Sequence, residues 1–170
     1  ERGRKTVYDL LGDVAHWIFP VGRLDRDTSG LLLFTNDNQL GEFLTSPRSR
    51  VPKTYLVTLD RDVTPEDSRA LERGLVLDGE KLLPATIRLR EHRVMEMTIC
   101  EGKNRQVRRM CKALGYEVLA LTRTMIGALE LNDLRAGEWK RMERDDVASL
   151  TGFTASRTAG TVRARKRRAG

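Results

Sequence analysis

The chain has 170 residues, of which 39% are hydrophobic and 32% charged, and its formal net charge at pH 7 is +7. This length suits one domain with a buried core. No apolar run approaches the roughly 18 to 20 residues that a transmembrane helix needs, and the opening residues lack the apolar centre of a signal peptide. We therefore expect a cytoplasmic protein that has no membrane contact.

The positive charge is concentrated at the end of the chain. Residues 151–170 contain six basic residues and no acidic residue, so +7 − 6 leaves about +1 for residues 1–150. A basic chain indicates a polyanionic partner, but a nearly neutral body must create any nucleic-acid surface by the arrangement of its charges. The Ala, Thr, Gly, Ser and Arg composition of 151–170 predicts a flexible basic tail after a folded domain over 1–150.

Hydrophobic spacing and capping residues predict helices and strands in alternation through the first half of the chain. In order, these are a helix over 6–12, an extended segment over 17–21, a strand over 31–34, a helix over 39–45, a strand over 53–59 and a helix over 65–73. The strand over 31–34 is apolar on both faces, which is typical of a strand covered on two sides. The helix over 65–73 has Thr64 as its cap, Pro65 at its first position and Gly74 beyond its end.

Short strands dominate the second half of the chain. The pattern predicts strands over 83–90 and 93–100, a helix over 104–114, strands over 118–122, 128–131 and 138–142, and a closing helix over 144–150. Many short strands with irregularly inserted helices predict an α+β fold, in which flanking helices cover a mixed, mainly antiparallel sheet.

The segment between Gly22 and Gly30 concentrates charge in one turn. It contains Asp25 with Arg23 and Arg26 on either side, and it leads directly into the apolar strand over 31–34. A carboxylate beside a buried strand is costly unless it is used or paired. The alternative to a functional Asp25 is an ion pair that fixes the turn.

The helix over 104–114 carries two distinct stripes. Val107, Met110, Cys111 and Leu114 follow helical spacing and predict its buried face. A second face carries four cations with no acidic i+4 partner among them: Arg105, Arg108, Arg109 and Lys112. Such a stripe repels itself unless an anion lies nearby. The alternative is a basic face that is merely solvated.

Cysteine and histidine usage predicts no metal site. Cys100 and Cys111 fall on apolar positions with a spacing unlike that of metal ligands, so we expect buried free thiols. His16 and His92 are isolated from each other and from the cysteines.

Two segments together resemble the motifs of a known enzyme family. The segments GRLDRDTSGLLLFTND at 22–37 and EGKNRQVRRM at 101–110 are similar to the signatures of the pseudouridine synthases, specifically the RsuA-like branch that modifies bacterial ribosomal RNA. The resemblance spans roughly Gly3 to Leu150. It implies the pseudouridine synthase fold and isomerisation of one uridine in ribosomal RNA by base flipping, cleavage of the N1–C1′ bond and joining of C5 to C1′. Because this isomerisation is redox-neutral, we expect no metal and no organic cofactor, and we expect a monomer.

The resemblance also implies roles for individual residues. Asp25 matches the family's indispensable aspartate, Arg108 matches the arginine that pairs with it, and Tyr55 matches a strand tyrosine that lies against the target base. These three residues should converge on one pocket. The implied RNA contacts are Arg23, Arg26, Lys103, Arg105, Arg109 and Lys112, with Arg23 filling the gap that the flipped uridine leaves. Asp27 is expected to be structural.

The sequence departs from the family pattern at its beginning. The family usually opens with a strand that ends in a Lys-Pro element, preceded in most members by a small RNA-binding domain, and we expect both to be missing from the catalytic domain over 1–150. A non-catalytic fragment that binds ribosomal RNA is therefore the main alternative function. A hydrolase with Asp25 and Asp27 as paired carboxylates is a third possibility, but their i, i+2 spacing is poorly suited to opposed acid and base roles.

Overall fold

A computed structural model of the chain describes residues 6–12, 14, 16–151 and 162–166. The strands are β1 Phe19–Val21, β2 Ser29–Thr35, β3 Lys53–Leu59, β4 Val76–Leu77, β5 Glu80–Lys81, β6 Thr86–Leu89, β7 Val94–Ile99, β8 Val118–Ile126, β9 Leu129–Glu130, β10 Trp139–Arg141 and β11 Val162–Lys166. The helices are α1 Asn38–Thr45, α2 Pro65–Arg73, α3 Gln106–Ala113 and α4 Arg144–Thr151, with short 3-10 helices at Val7–Leu10 and Pro47–Ser49. Within the described residues, no helix is long and apolar enough to cross a membrane.

One large sheet organises the described part of the chain. Its strand order is β10-β11-β2-β8-β3-β7-β6, with β1 beside β2 and β9 beside β8. All of these pairs are antiparallel except β2 and β8, which pair in parallel through Ser29 with Thr122 and Gly30 with Arg123. The predicted α+β fold with a mixed, mainly antiparallel sheet is confirmed.

The elements with strong local signals have the bounds that the sequence predicts. β3 spans Lys53–Leu59, and α2 begins at Pro65 because the Thr64 side chain accepts a hydrogen bond from the backbone N–H of Asp67. α1 is capped in the same way by Asp37, which accepts from the N–H groups of Gln39 and Leu40. Side-chain caps of this kind satisfy donors that the first turn leaves unpaired.

Several elements differ from their predicted bounds. The helix predicted over 6–12 is a 3-10 helix at Val7–Leu10, and the helix predicted over 104–114 is the shorter α3, Gln106–Ala113. β8 continues beyond its predicted end at residue 122, to Ile126. The strand predicted over 83–90 begins only at Thr86, and the segment before it contains a hairpin, β4–β5, whose turn is Asp78-Gly79. Both turn residues have positive φ, 52° and 79°, which is the geometry that an Asp-Gly pair favours in a two-residue hairpin.

Hydrophobic packing covers both faces of β2 and one face of the β3–β7–β8 region. The main core lies between these three strands and helices α2 and α3, and includes Val57, Met97 and Met110. A second cluster packs Leu31 and Leu33 of β2 against α1 and α4. On the other face of β2, Leu32 and Phe34 pack with Leu11 and Ile18. The strand predicted to be covered on two sides is therefore buried as expected.

The end of the chain differs from the flexible tail predicted over 151–170. Thr151 is the last residue of α4, and Val162–Lys166 form β11, which pairs antiparallel with Phe34 to Gly30 of β2 on one side and with β10 on the other. Residues 152–161 and 167–170 lie outside the described residues. Composition does not predict this strand, because β11 pairs with β2 through backbone groups, and any non-proline sequence can supply these groups.

Candidate active site

An open cavity of about 320 Å³ lies where the loop after β1 meets the first residues of β3, the end of β8 and the loop before α3. Asp25 and Tyr55 both line it. Its cationic lining residues are Arg23, Lys53, Lys103, Arg105 and Arg123, and the apolar ones include Val21, Leu44, Ile99, Leu121 and Ile126. The cavity thus combines apolar side chains with charged and polar groups that can fix the orientation of a ligand.

The loop that carries Asp25 is fixed where it enters β2. The Ser29 hydroxyl lies 2.9 Å from the Thr122 hydroxyl, and Gly30 pairs with Arg123 of β8. A Cβ at Gly30 would come within 2.2 Å of the Arg123 carbonyl oxygen, so only glycine allows this approach. Within the loop, the N–H of Thr28 donates to the Asp25 carbonyl oxygen at 3.0 Å and closes a turn that begins at Asp25.

A second contact to this loop comes from the start of α3. Arg105 donates from both terminal nitrogens to the two carboxylate oxygens of Asp27, at 2.9 Å each. Arg108 donates to the Asp27 carbonyl oxygen at 2.8 Å and places its Nε 3.2 Å from the Asp27 carboxylate. Asp27 is therefore structural, as predicted, but its partners lie on α3.

The charges of Asp27, Arg105 and Arg108 stabilise one another. The hydrogen bond from Arg105 is the main cause that lowers the pKa of Asp27, and the charges of Arg108 and Arg105 act in the same direction against a partial opposing effect of burial. The same bond to Asp27 raises the pKa of Arg105, and the nearby Asp25 carboxylate contributes further. Arg105 is thus a guanidinium within electrostatic reach of Asp25 on the cavity wall.

A buried carboxylate positions the residues before α3. Glu101 accepts hydrogen bonds from the Leu83 N–H at 2.9 Å and from the Gln106 side chain at 2.6 Å. The Gln106 side chain in turn accepts from the Lys103 N–H at 3.0 Å. These bonds fix the 101–106 segment, which contains Arg105, to the segment before β6.

Arg108 lies outside the residues that line the cavity. Its guanidinium is largely buried behind the loop, where it also donates to the Val118 carbonyl oxygen at 3.0 Å. The structure therefore brings Asp25 and Tyr55 to one cavity, and places the third residue of the predicted trio against Asp27, two residues beyond Asp25.

Tyr55 is buried on β3 with its ring in the cavity wall. Its direct cross-strand partners are Met97 on β7 and Arg123 on β8. Neighbours of this kind restrict the ring, because facing residues of adjacent strands have Cβ atoms only about 5 Å apart.

The cations predicted to bind RNA fall into two groups. Lys103, Arg105 and Arg109 form ion pairs with Glu80, Asp27 and Asp78 respectively. The nearby anions that the basic stripe of α3 was expected to need are therefore carboxylates of other elements for Arg105 and Arg109, namely Asp27 and Asp78. The remaining predicted contacts are exposed: Arg23, Arg26 and Lys112.

Sequence reasoning missed two cavity residues, Lys53 and Arg123. Lys53 begins the Lys53-Thr54-Tyr55 segment, in which only the tyrosine was predicted to have a function. Arg123 is a buried charge within an otherwise β-rich strand, and such a residue is rare enough to be a signal by itself.

The two cysteines are free thiols, as predicted, but only Cys111 is fully buried; Cys100 is half-buried. Burial raises the pKa of Cys111 to about 12. Among the described residues there is no group of three or more His, Cys, Asp or Glu side chains that could hold a metal ion.

Comparison with known proteins identifies the family. A family model described as RNA pseudouridylate synthase matches residues 5–113. The chain belongs to this family, and the names of its relatives place it in the RsuA-like branch. The resemblance drawn from residues 22–37 and 101–110 is thereby confirmed.

Individual relatives agree with this placement. The chain is 38% identical over 156 residues to the ribosomal large subunit pseudouridine synthase B of Bacillus subtilis (strain 168), covering 88% of this chain and 64% of that protein. It is 40% identical over 148 residues to the ribosomal small subunit pseudouridine synthase A of Salmonella typhimurium, covering 85% and 64%. A crystal structure of a pseudouridylate synthase matches with a TM-score of 0.81 at 37% identity, covering 85% of this chain and 65% of the other. The chain thus spans somewhat less than two thirds of these relatives.

Proposed function

We propose that this chain carries the catalytic centre of a pseudouridine synthase that isomerises a uridine in ribosomal RNA. The observation that carries the proposal is that Asp25, from the loop before β2, and Tyr55, from β3, line one cavity with cations around it in a chain of this family. A cavity of about 320 Å³ falls in the range of sites that bind small molecules and single nucleotides. A ribosomal RNA substrate would place the protein in the cytoplasm.

The reaction breaks the N1–C1′ bond of the uridine, turns the freed uracil, joins C5 to C1′ and releases the C5 proton to water. Asp25 starts this sequence, either as a nucleophile toward the sugar or ring, or as a base that removes a sugar proton. Both routes use the ionised carboxylate, and the Arg105 guanidinium on the same wall suits an anionic group there. The rearrangement needs no electron donor or acceptor.

Tyr55 and the surrounding cations hold the substrate in this scheme. A base that leaves its stack is commonly received by an aromatic ring, and Tyr55 is the aromatic residue on the cavity wall. The exposed residues Arg23, Arg26 and Lys112 are the best placed for phosphate contacts. Lys103, Arg105 and Arg109 are less suited to this role, because each already forms an ion pair with a carboxylate.

In this proposal Arg108 affects Asp25 indirectly, because it helps to fix the loop that carries Asp25. Its bonds to Asp27 and Val118 join α3, β8 and the segment that presents Asp25. A direct ion pair between Arg108 and Asp25, as the family resemblance implies, remains part of the proposal.

Release of tritium from ribosomal RNA labelled at uridine C5 tests this function. We expect release by the wild-type chain and a loss of about a hundredfold or more in Asp25→Ala, the scale for a general acid–base or nucleophilic group. Asp133→Ala, which removes an exposed carboxylate outside the cavity lining, is the matched control. No release by the wild-type chain, or equal release by Asp25→Ala, would contradict the proposal. Salt-sensitive RNA binding without release would identify a non-catalytic RNA-binding fragment.

A further inference from the structure

The inner wall of the cavity holds a buried arginine that the chemistry of Asp25 does not use. Arg123 lines the cavity although it is only 4% exposed. Its Nε donates to the Leu31 carbonyl oxygen at 2.9 Å, whereas its buried Nη2 has no hydrogen-bond partner among the described residues. An unsatisfied buried donor on a charged group costs more than an ordinary lost hydrogen bond. Its position therefore indicates an acceptor that comes from the cavity side.

A second cation, the Lys53 side chain, also lines the cavity. Lys53 begins β3, is half-buried, and donates from Nζ to the Val51 carbonyl oxygen at 3.1 Å. Burial lowers the pKa of Lys53, and the positive charge of Arg123 lowers it further. The two like charges are thus close enough to repel each other.

These two cations differ from Lys103 and Arg105 on the same cavity, and Arg23, the fifth cationic lining residue, is exposed. Lys103 and Arg105 have carboxylate partners in Glu80 and Asp27. Among the residues that the structure describes, no carboxylate lies within ion-pair distance of Arg123 or Lys53, and each is held only by a neutral backbone carbonyl. A buried and a half-buried cation that lie close together without a carboxylate partner are stabilised by an anion between them.

We propose that Arg123 and Lys53 form an anion subsite that holds a phosphate of the nucleotide whose base enters the cavity. Tyr55 is the cross-strand partner of Arg123 and lies two residues from Lys53, so the phosphate would be bound beside the Tyr55 ring. A phosphate offers several acceptor oxygens and can accept from both side chains at once. Arg123 and Lys53 are then positioning residues, which fix the sugar relative to Asp25. The identity of the anion as a nucleotide phosphate rests on the proposed function.

Binding of small probes tests the subsite without turnover. Uridine, uridine 5′-monophosphate, uridine 3′-monophosphate and inorganic phosphate are titrated into the chain and followed by NMR. We expect one of the two nucleotides to bind at least about tenfold more tightly than uridine, the scale for hydrogen bonds to a charged group. Lys53→Gln and Arg123→Gln should each remove this difference. Arg88→Gln and Lys81→Gln, which remove exposed charges from β6 and β5, should preserve it.

Several results would overturn the subsite. These are equal binding of uridine and both nucleotides by the wild-type chain, a nucleotide preference that survives in both Lys53→Gln and Arg123→Gln, or binding of inorganic phosphate without any nucleotide preference. If Arg123→Gln fails to fold by circular dichroism, Lys53→Gln decides together with Arg123→Lys, which keeps the charge and should keep the preference. Tritium release without a nucleotide preference contradicts the subsite alone. A nucleotide preference without tritium release contradicts the isomerase alone.

Discussion

Arg105 donates two hydrogen bonds of 2.9 Å to the two carboxylate oxygens of Asp27, a residue 78 positions earlier in the chain. Paired bonds from a planar guanidinium restrict both the distance and the orientation of the carboxylate. Arg108 adds a bond to the Asp27 backbone. The position of Asp25, two residues away, therefore depends on helix α3.

Asp27→Asn should separate this positioning role from a role in stability. The Asp27 and Arg105 side chains are 38% and 45% exposed, so we expect the free energy of unfolding to fall by less than about 1 kcal/mol, as for exposed ion pairs. Tritium release should fall by about tenfold or more, because small displacements of a reacting group are costly. Glu96→Gln removes the carboxylate partner of Arg90 away from the loop and should leave release unchanged. Equal release by both variants would contradict the positioning role.

The stabilising effect of Asp27 should depend on pH. The bond from Arg105 holds the pKa of Asp27 below its ordinary value of 3.8. A carboxyl group with a lowered folded-state pKa contributes stability that is present above its ordinary pKa and is lost as the pH falls through the lower folded value. The difference in melting temperature between wild type and Asp27→Asn should therefore be constant from about pH 7 to about pH 5 and disappear in strong acid. Melting curves by circular dichroism measure it, and a difference that persists in strong acid would assign the effect to another cause.

Gly30→Ala should destabilise the fold strongly. A Cβ there would lie 2.2 Å from the Arg123 carbonyl oxygen and 2.5 Å from its nitrogen, at the parallel contact between β2 and β8. We expect a loss of at least about 3 kcal/mol in urea unfolding, typical of severe steric overlap. Gly79→Ala is the control, since Gly79 also has positive φ but nothing within 4 Å of the added Cβ. It should cost only about 1 kcal/mol, and equal losses in the two variants would show that backbone strain alone accounts for Gly30.

Neighbouring positions on β3 should lose different amounts of stability on truncation. Val57 is 0% exposed in the main core, whereas Leu56 points to the other face of the sheet and is 39% exposed. Val57→Ala should cost about 2 kcal/mol, and Leu56→Ala less than about 1 kcal/mol, although leucine loses more atoms. Chemical denaturation of the two variants gives the comparison. A larger loss in Leu56→Ala would mean that the outer face of the sheet is covered in solution.

Cys111 should resist thiol reagents in the folded protein. Burial raises its pKa to about 12, and the thiolate is the reactive form. In a Cys100→Ser background, we expect no reaction with Ellman's reagent at pH 8 until denaturant is added. The Cys111→Ser variant reports on the half-buried Cys100 for comparison. Rapid reaction of Cys111 in the native state would indicate local opening of α3.

Local interactions account for most of what the sequence predicted correctly. The bounds of α2 and β3 follow from the Thr64 cap, the Pro65 start and a β-rich run, all of which act within a few residues. The alternation of short strands and helices was sufficient for the fold class. Asp25 and Tyr55 were assigned from motifs of contiguous residues, and both lie on the cavity.

The hairpin β4–β5 shows how one missed element changes a functional argument. Its Asp78-Gly79 turn is a local signal that was overlooked, and the hairpin supplies Asp78 and Glu80 to cations around α3. Because the hairpin was not predicted, Arg109 on the basic face of α3 appeared to lack a counter-ion.

By itself, the sequence determined the family, the fold class and five residues that line the cavity, namely Asp25, Tyr55, Arg23, Lys103 and Arg105. Only the tertiary structure decided that Arg105 and Arg108 hold Asp27, that β11 pairs with β2, and that the buried Arg123 lies beside Tyr55. The physical reason is the range of the interactions involved. Caps, turns and hydrophobic spacing act between residues close in the chain. The partner of a charged residue is determined by the pairing of distant segments, and the residues next to it in the sequence do not specify that partner.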